Sequence, residues 1–565
     1  MVKLHSLQLT GDDPRIEAQP LYVPELTLSD GHKHNVVFIC SMSNRVWAFD
    51  ADNGNAVWAT PAYLGPAFVP SPGDPVDKWG INKSFGILST PVIDLHAGLI
   101  YVVYWLSDAA THKNRDFRIS ALRLTDGTAP HNRPALPIAA TITNAAGQTI
   151  SFNQVQKQRA ALLLTPLVGA PSSHAHRMLY VAFTGSEDPP DDGNASKANH
   201  GWVMAFDVDV WKQAAAWIST PSSFGGGIWQ GGQGPAADDL SNVYLMTGNG
   251  GYLDKPLIKD FTGTTDFPEC FAKLSYNSGT SALALTDWFI PFRDLGRKKW
   301  SKTQVAPFPE GYDYTDQDLG SSGPILPPNL NLVLGAGKDG VLYVLNKSQF
   351  GKAVGDFTKL KQPPSFFTFE PNPAIAAYAH AHANGNLDFK PMLGVKTPHL
   401  HGSPAYWNSA SHGPTLYVWG ENNVLRAYSL DVDGKTKLLA RGTDVASAKL
   451  ADPTLASLGG MPGGMICVAA NGTNDGIIWA TAPVDDDANR APVPGVVRAY
   501  DASAFVAGLP SAIPTMKKLW EQKGFTYSKF CPPVVADGRL FVPTYDGTVD
   551  VYVSPSQSAP PAPHP

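Results

Sequence analysis

Residues that could do chemistry stand at the ends of predicted strands. Glu187 and Asn249 each follow an apolar strand, Asp318 precedes a Leu-Gly pair, and Lys338 precedes a turn glycine. Carboxylate and amide oxygens are ligands for a hard cation, a carboxylate can accept a proton, and a lysine can support growing negative charge. Each residue alone is also typical of an ordinary turn or solvated loop. Only their joint occurrence favours a small-molecule site.

A second group of candidate ligands is histidine. His399 and His401 are two residues apart, so on a strand both imidazoles point to the same side. Such a pair can hold a transition metal, and this one directly precedes a predicted strand that begins at Gly402-Ser403-Pro404. Surface or loop histidines are the alternative. Two further pairs share the spacing: His174 with His176, and His380 with His382.

The elements that must position these residues repeat along the chain. The phrase Val46–Trp58 combines a strand, an Asp-Asn-Gly turn and a tryptophan, and parts of it recur four times. These copies are Ser120–Gly127, Trp202–Asp207, Arg426–Asp431 and Arg498–Asp501. Eight units begin near residues 19, 88, 161, 228, 321, 402, 461 and 529. A period of tens of residues indicates an array of small supersecondary units.

Closure of this array into a ring predicts the fold. Helical signals are nearly absent, apart from short turns of helix expected around Val210 and Ala504, so many sheet edges would stay exposed in an open array. We therefore predict an all-β protein, an eight-bladed β-propeller of four-stranded antiparallel blades. The last unit is one strand short, and Leu4–Leu9 is expected to supply that strand. The long inserts between units become face loops, where function is usually found.

Composition limits the possible partners. The chain has 565 residues with 16% charged and 10% aromatic residues, which is typical of a turn-rich protein with a large core. A net charge of −6 argues against nucleic acid, and no apolar run is long enough to span a membrane. We expect residues 1–553 to form one propeller domain and 554–565 a disordered Pro/Ser-rich tail.

The cysteines and the N-terminus add two expectations. Four scattered cysteines encode neither a zinc ribbon nor a haem attachment, and we expect them to be core residues. The sequence begins without a signal segment. We expect a periplasmic or secreted protein if a signal peptide has been removed, and a cytoplasmic one otherwise.

The phrase Ala48–Trp58, of the form A-x-D-x-x-x-G-x-x-x-W, resembles the repeat of the pyrroloquinoline-quinone (PQQ) family of eight-bladed propellers. The resemblance extends over essentially the whole chain at the level of the blades. Because non-catalytic propellers share the repeat, it implies the fold more strongly than the chemistry.

The resemblance to quinoprotein alcohol dehydrogenases, which belong to this family, implies five site residues in this chain. Glu187 and Asn249, in Thr-Gly-Ser-Glu and Thr-Gly-Asn-Gly, match the family's Ca²⁺ ligands, and Trp229 matches the indole beneath the flat cofactor. Asp318 matches the catalytic base, which also lies beside the metal, and Lys338 matches the residue that contacts the quinone oxygen. The implied cofactors are PQQ and Ca²⁺, and the implied reaction is oxidation of an alcohol or sugar.

The chain also departs from that family. The adjacent cysteines that form a disulfide beside the cofactor are absent from the sequence. Three interpretations therefore stay open: a quinoprotein-like oxidoreductase, a binding or scaffold propeller that has lost PQQ, and an enzyme of different chemistry that uses His399 and His401. A small-molecule substrate is expected for the first, and the sequence does not identify the electron acceptor.

Overall fold

The computed structural model describes most of the chain. The described residues are 1–72, 74–77, 80–108, 115–166, 177–185, 195–250, 265–291, 318–352, 365–368, 399–446, 461–484, 487–507 and 513–555. Within them, every regular element longer than one turn is a β-strand. The exceptions are three single turns of 3₁₀ helix at Pro75–Asp77, Ala195–Lys197 and Leu319–Ser321.

The strands of the first four blades follow one another along the chain. Strand β1 is Val2–Gln8. Blade 1 consists of β2 (Leu21–Thr27), β3 (Lys33–Cys40), β4 (Arg45–Asp50) and β5 (Ala62–Tyr63). Blade 2 consists of β6 (Val92–Asp94), β7 (Leu99–Leu106), β8 (Asp116–Arg123) and β9 (Leu136–Pro137), and a hairpin of β10 (Thr141–Thr143) and β11 (Thr149–Ser151) follows. Blade 3 consists of β12 (Gln156–Lys157), β13 (Leu163–Pro166), β14 (Arg177–Gly185), β15 (Trp202–Asp207) and β16 (Lys212–Ile218). Blade 4 consists of β17 (Ala236–Ala237), β18 (Val243–Met246), β19 (Phe271–Asn277) and β20 (Ala282–Phe289).

The second half continues the pattern. Blade 5 consists of β21 (Leu332–Ala336), β22 (Val341–Asn346) and β23 (Ser365–Thr368), with an inner bridge between Ile325 and Leu334. Blade 6 consists of β24 (Ala405–Ser409), β25 (Gly413–Val418), β26 (Val424–Leu430) and β27 (Thr436–Val445). Blade 7 consists of β28 (Met465–Asn471), β29 (Asn474–Pro483), β30 (Pro494–Val506) and β31 (Thr515–Thr526). Blade 8 consists of β32 (Val534–Ala536), β33 (Arg539–Pro543), β34 (Thr548–Val553) and β1.

The N-terminal strand closes the ring. Strand β1 pairs antiparallel with β34, with Val2 opposite Val553 and Gln8 opposite Thr548. The first strand of the chain therefore completes the last blade, as the sequence predicted. The eight-bladed, all-β fold is confirmed. Closure leaves only short sheet edges, which is the physical reason for this arrangement.

The recurring phrase is the third strand of a blade together with its turn. Its first half forms β4 in blade 1, and Trp58 packs on blade 2, where its indole donates a hydrogen bond to the Leu124 carbonyl at 3.0 Å. Gly127 has a positive φ of 73° and leaves room for that ring, because a Cβ there would lie 2.6 Å from it. The phrase is therefore a blade-packing element.

Two expected helical turns are wrong. The Asp207 carboxylate accepts hydrogen bonds from the backbone N–H groups of Asp209 and Val210, so this segment is a turn between β15 and β16. The same motif occurs at Asp501, which accepts the N–H groups of Ser503 and Ala504 within β30. Aspartate side chains that bind nearby backbone N–H groups stabilise turns in place of helix.

The order of strands determines where the loops meet. In each blade the second strand runs antiparallel to the inner strand. The start of the inner strand and the end of the second strand therefore lie at the same face of the ring. Residues that directly precede the inner strands and residues that directly follow the second strands therefore surround the axis at one face. We call this face the axial mouth. It receives the segments around residues 17, 159, 229, 249, 318, 338, 399, 421 and 529.

Candidate functional site at the axial mouth

A buried ion pair lies at the mouth between blades 4 and 5. Lys338 Nζ is 2.7 Å from Asp318 Oδ2, and both side chains are almost fully buried. The other carboxylate oxygen, Oδ1, accepts a hydrogen bond from the Asn249 backbone N–H at 3.0 Å. The structure thus brings together three residues that the sequence singled out, although 89 positions separate Asn249 from Lys338. We call Asp318 with Lys338 the acid–lysine pair.

Two glycines make the acid–lysine pair possible. A Cβ at Gly248 would lie 2.1 Å from Asp318 Oδ1, and a Cβ at Gly337 would lie 2.5 Å from the Asp318 carbonyl oxygen. The Lys338 N–H also donates to that carbonyl at 3.1 Å. Because neither glycine has a side chain, both backbone segments can close on Asp318.

Trp229 belongs to the segment that lies against Asp318. The backbone N–H groups of the next two residues, Gln230 and Gly231, donate to the carbonyls of Gly320 and Ser321 at 3.0 Å each. The indole is half-buried. Its partial exposure suits a ring that faces a ligand.

Glu187 lies outside the described residues, which end at Gly185 in blade 3. The last strand residues before it do border the mouth, since a Cβ at Gly227 would lie 2.2 Å from Thr184 Oγ1. The histidine pairs His174 with His176 and His380 with His382 also lie outside the described residues.

The third histidine pair is described and acquires a carboxylate. His401 Nε2 is 2.7 Å from Glu421 Oε1, and His399 Nδ1 is 3.7 Å from Glu421 Oε2. One ligand atom from each of the three side chains lies within 4.8 Å of the others. We call His399, His401 and Glu421 the histidine cluster. Glu421 follows β25, and its backbone N–H donates to the His399 carbonyl at 2.8 Å.

Burial determines the charge state of the histidine cluster. Burial, together with the nearby Lys338 ammonium, lowers the pKa of His399 to about 4 and that of His401 to about 3. Burial also raises the pKa of Glu421. Both imidazoles are therefore neutral at neutral pH, which is the form that can bind a metal.

The histidine cluster and the acid–lysine pair are direct neighbours. Leu400, between the two histidines, donates its N–H to the Gly337 carbonyl at 3.1 Å. Its own carbonyl accepts a hydrogen bond from the Ser321 hydroxyl at 2.7 Å. Two backbone contacts therefore join the segment of the histidines to the segments on either side of Asp318 and Lys338.

A third group at the mouth is mainly basic. The Arg159 guanidinium pairs with the Glu17 carboxylate, and Lys529 Nζ lies 3.9 Å from Glu17 Oε1. Burial, together with Lys529 and Arg159, lowers the pKa of Lys157 to about 7. Burial alone would raise the pKa of Glu17, but Lys529 and Arg159 hold it below its ordinary value. We call Lys157, Arg159 and Lys529, with Glu17 among them, the basic cluster.

Phe530 connects the basic cluster to the histidine cluster. The Arg159 guanidinium carbon lies 4.6 Å from the centre of its ring, and the ring centres of Phe530 and His401 are 5.9 Å apart. Gly231 also leaves room for this ring, because a Cβ there would lie 2.6 Å from it. Segments that precede the inner strands of blades 3, 4, 6 and 8 thus meet at one phenylalanine.

The sequence did not identify Glu421 or the basic cluster as site residues. A signal was nevertheless present, because several of these residues stand within three positions of a predicted unit start. Glu17 precedes residue 19, Arg159 precedes 161, and Lys529 coincides with the start at 529. Asp318 and His401 have the same relation to the starts at 321 and 402. Charged residues at the unit starts therefore signalled Glu17, Arg159 and Lys529, whereas Glu421 follows a second strand and has no such signal.

The cysteines are free thiols without an adjacent pair. Cys40, Cys270 and Cys531 are buried and Cys467 is half-buried. Burial raises the pKa of Cys467 to about 12, so this thiol is neutral at ordinary pH. The four cysteines are packing residues, as expected from their scattered positions.

Comparisons with known proteins give only structural likenesses. No family model matches the sequence, and no curated protein matches it. Quinohemoprotein alcohol dehydrogenase ADHIIG from Pseudomonas putida HK5 is 15% identical with a TM-score of 0.44, covering 100% of this chain and 78% of that one. The quinohemoprotein alcohol dehydrogenase from Comamonas testosteroni is 14% identical with a TM-score of 0.41, covering 95% and 71%.

A propeller of a different class is about equally similar. The C-terminal WD40 domain of Sif2 is 9% identical with a TM-score of 0.44, and the alignment covers 98% of each chain. Likeness of this degree assigns no activity. The described residues contain no helix that is long and apolar enough to cross a membrane.

Proposed function

We propose that the chain is a quinoprotein-like oxidoreductase that oxidises a small alcohol or sugar at the axial mouth. One observation carries this proposal. Asp318, Lys338 and Asn249, which the repeat resemblance pointed to separately, meet at one carboxylate beside the axis. A catalytic base must be held in a fixed position beside the cofactor, and the contacts from Lys338 and Asn249 hold the Asp318 carboxylate in such a position.

The described residues fit an anionic quinone. PQQ carries carboxyl groups, and Arg159 and Lys529 supply positive charge around the Glu17 carboxylate, with Lys157 as a third basic group. Trp229 supplies a planar, half-buried ring. Lys338 would contact the quinone oxygen. Bound PQQ would supply the acceptor for the hydride that leaves the alcohol carbon.

Asp318 is the residue proposed to receive the proton of the alcohol hydroxyl. Its carboxylate is held on one side by the Asn249 N–H and on the other by Lys338, so its position is fixed before a substrate arrives. Its burial excludes water from the reacting hydroxyl. The nearby ammonium would also stabilise negative charge that develops on an oxygen.

Ca²⁺ would be held by oxygen atoms of Asn249 and Asp318 together with Glu187. Carboxylate and amide oxygens are the ligands that this ion prefers. The Asp318 carboxylate already binds the Lys338 ammonium, so the ion and the lysine would share one carboxylate. Replacement of Lys338 by methionine should consequently strengthen Ca²⁺ binding, which calorimetric titration of the two proteins would measure.

The proposed activity is tested by dye-linked oxidation of a panel of alcohols and sugars after addition of PQQ and Ca²⁺. We expect turnover by the natural chain, and a loss of about 10²–10⁴-fold in Asp318→Asn, since loss of a general base has that effect. Asp433→Asn, on an exposed turn, is the matched control and should retain activity.

Two outcomes would contradict the proposal. Absence of turnover with every substrate while PQQ fails to bind would favour a scaffold propeller. Full activity of Asp318→Asn would place the base elsewhere.

A further inference from the structure

We propose that His399, His401 and Glu421 form a binding site for a divalent transition-metal ion, separate from the quinone and its Ca²⁺. The quinoprotein function does not use these side chains. The site rests on their geometry and would exist whether or not PQQ binds.

The local structure preorganises the three ligands. The two histidines flank Leu400, whose side chain is buried in the core between blades 5 and 6, while both imidazoles lie beside Glu421. Glu421 is fixed opposite them by the hydrogen bond from its N–H to the His399 carbonyl. Gly463, with a positive φ of 79°, packs behind it, because a Cβ there would lie 2.7 Å from the Glu421 nitrogen.

A buried hydrogen bond alone does not account for the histidine cluster. His401 Nε2 lies 2.7 Å from Glu421 Oε1 but lacks the alignment of a hydrogen bond, so this buried ring nitrogen has no hydrogen-bond partner among the described residues. His399 Nε2 is also buried, and it has no hydrogen-bond partner among the described residues. Buried polar atoms are normally paired, so an imidazole left in this state beside a second imidazole and a carboxylate points to a ligand.

The donor set indicates the kind of ion. Two imidazole nitrogens and one carboxylate oxygen suit ions of intermediate softness, such as Zn²⁺, Fe²⁺ or Co²⁺, in preference to Ca²⁺. Ligand atoms at about 2.0–2.1 Å from such an ion require only small side-chain shifts from separations within 4.8 Å. Three protein ligands leave at least one position for water or a substrate, as in catalytic sites.

The charged neighbours of the histidine cluster are the two members of the acid–lysine pair. The Asp318 carboxylate lies near the histidines together with the Lys338 ammonium to which it is paired, so the pair adds no net negative charge and Glu421 supplies the charge that would hold the cation. The open coordination position would share the mouth with the acid–lysine pair. An ion there could bind an oxygen of the same small molecule that reaches Asp318.

Cobalt titration of the full chain tests the site without PQQ. After removal of metals with a chelator, Co²⁺ should bind one ion per chain and give visible d–d absorption, and Zn²⁺ should displace it while Ca²⁺ should not. Loss of a side chain that only supports a metal ligand typically weakens metal binding by about 10–100-fold. Because Glu421 is proposed as a direct ligand, we expect Glu421→Gln to weaken Co²⁺ binding by at least about tenfold. His399→Ala with His401→Ala should abolish the spectrum.

Matched controls separate this site from general histidine and carboxylate effects. His96→Ala and Glu25→Gln, both at exposed positions, should bind Co²⁺ as the natural chain does. If the double histidine variant fails to fold, Glu421→Gln still decides, by its Co²⁺ affinity and by its thermal shift with Zn²⁺. Absence of stoichiometric Co²⁺ binding by the natural chain, or unchanged affinity in Glu421→Gln, would overturn the proposal. Neither result depends on quinone binding or turnover.

Discussion

The acid–lysine pair and the histidine cluster are neighbours that differ in their electrostatics, and the pair is the more deeply buried of the two. In the acid–lysine pair, the opposite charges of Asp318 and Lys338 neutralise each other, and the Asn249 backbone N–H donates to the second carboxylate oxygen. In the second, Glu421 faces two imidazoles that burial keeps neutral, and burial disfavours its own charge. A neutralised ion pair needs no further ligand, whereas two imidazoles and a carboxylate would be stabilised by binding a cation. The difference predicts opposite responses to mutation.

The largest expected effect is on the acid–lysine pair. Lys338→Met leaves the Asp318 carboxylate buried without its partner, and such a loss costs about 3–5 kcal/mol of unfolding free energy. Urea denaturation would measure it. The double variant with Asp318→Asn should recover most of this loss, because no unpaired charge remains. A double variant as unstable as Lys338→Met would show that the two side chains are not coupled.

The histidine cluster should respond to metal instead. In metal-free protein, Glu421→Gln should be neutral or slightly stabilising near pH 7, since the folded state disfavours the Glu421 charge. At a Zn²⁺ concentration 100 times the dissociation constant, the natural chain should gain about 2.7 kcal/mol. Thermal or urea denaturation with and without Zn²⁺ gives both values. If Zn²⁺ raised the unfolding free energy of Glu421→Gln by the same amount, Glu421 would not be a ligand and the histidine cluster would not differ from the acid–lysine pair in this way.

The smallest expected effect concerns Lys157 in the basic cluster. Its pKa is near 7 in the folded chain and returns to its ordinary value near 10.5 on unfolding. Between those values the unfolded chain binds the extra proton, so the unfolding free energy should rise as pH rises from about 7 to 8.5. Lys157→Met should flatten that slope in urea denaturation. An identical slope in both proteins would place Lys157 in water instead of the basic cluster.

The pKa of Lys157 can also report anion binding at the basic cluster. Burial, together with the charges of Lys529 and Arg159, depresses its pKa, and an anion bound there would raise that pKa again. If PQQ carboxylates occupy the basic cluster, the slope between pH 7 and 8.5 should become shallower in the presence of PQQ. The histidine cluster should show no comparable response to PQQ.

The sequence predicted the fold more fully than the site. Repeated strand and turn phrases depend on local patterning, so eight blades and the closing role of Leu4–Leu9 could be predicted from one chain. The expected helical turns at Val210 and Ala504 were wrong because aspartates two or three residues earlier bind the local N–H groups.

The site was harder to predict because ring closure brings distant residues together. Glu17 and Lys529 are 512 positions apart in sequence and meet only because the last blade lies beside the first. Glu421 was missed for a similar reason, since it follows the second strand of a blade while the histidines precede the first. The roles of Glu187, Trp229, Asn249, Asp318 and Lys338 in binding PQQ and Ca²⁺ stay predictions.

Equilibrium titration with PQQ in the presence of Ca²⁺ tests whether the axial mouth binds the quinone. The natural chain should bind PQQ at micromolar concentration or below, with a change in the quinone absorbance. Arg159→Met and Lys338→Met should weaken binding, whereas Lys33→Met, at an exposed position, should not. Saturable binding that depends on Arg159 and Lys338 is the predicted result. Absence of binding at micromolar PQQ, or equal binding by all four proteins, would contradict the assignment of the axial mouth as a quinone site.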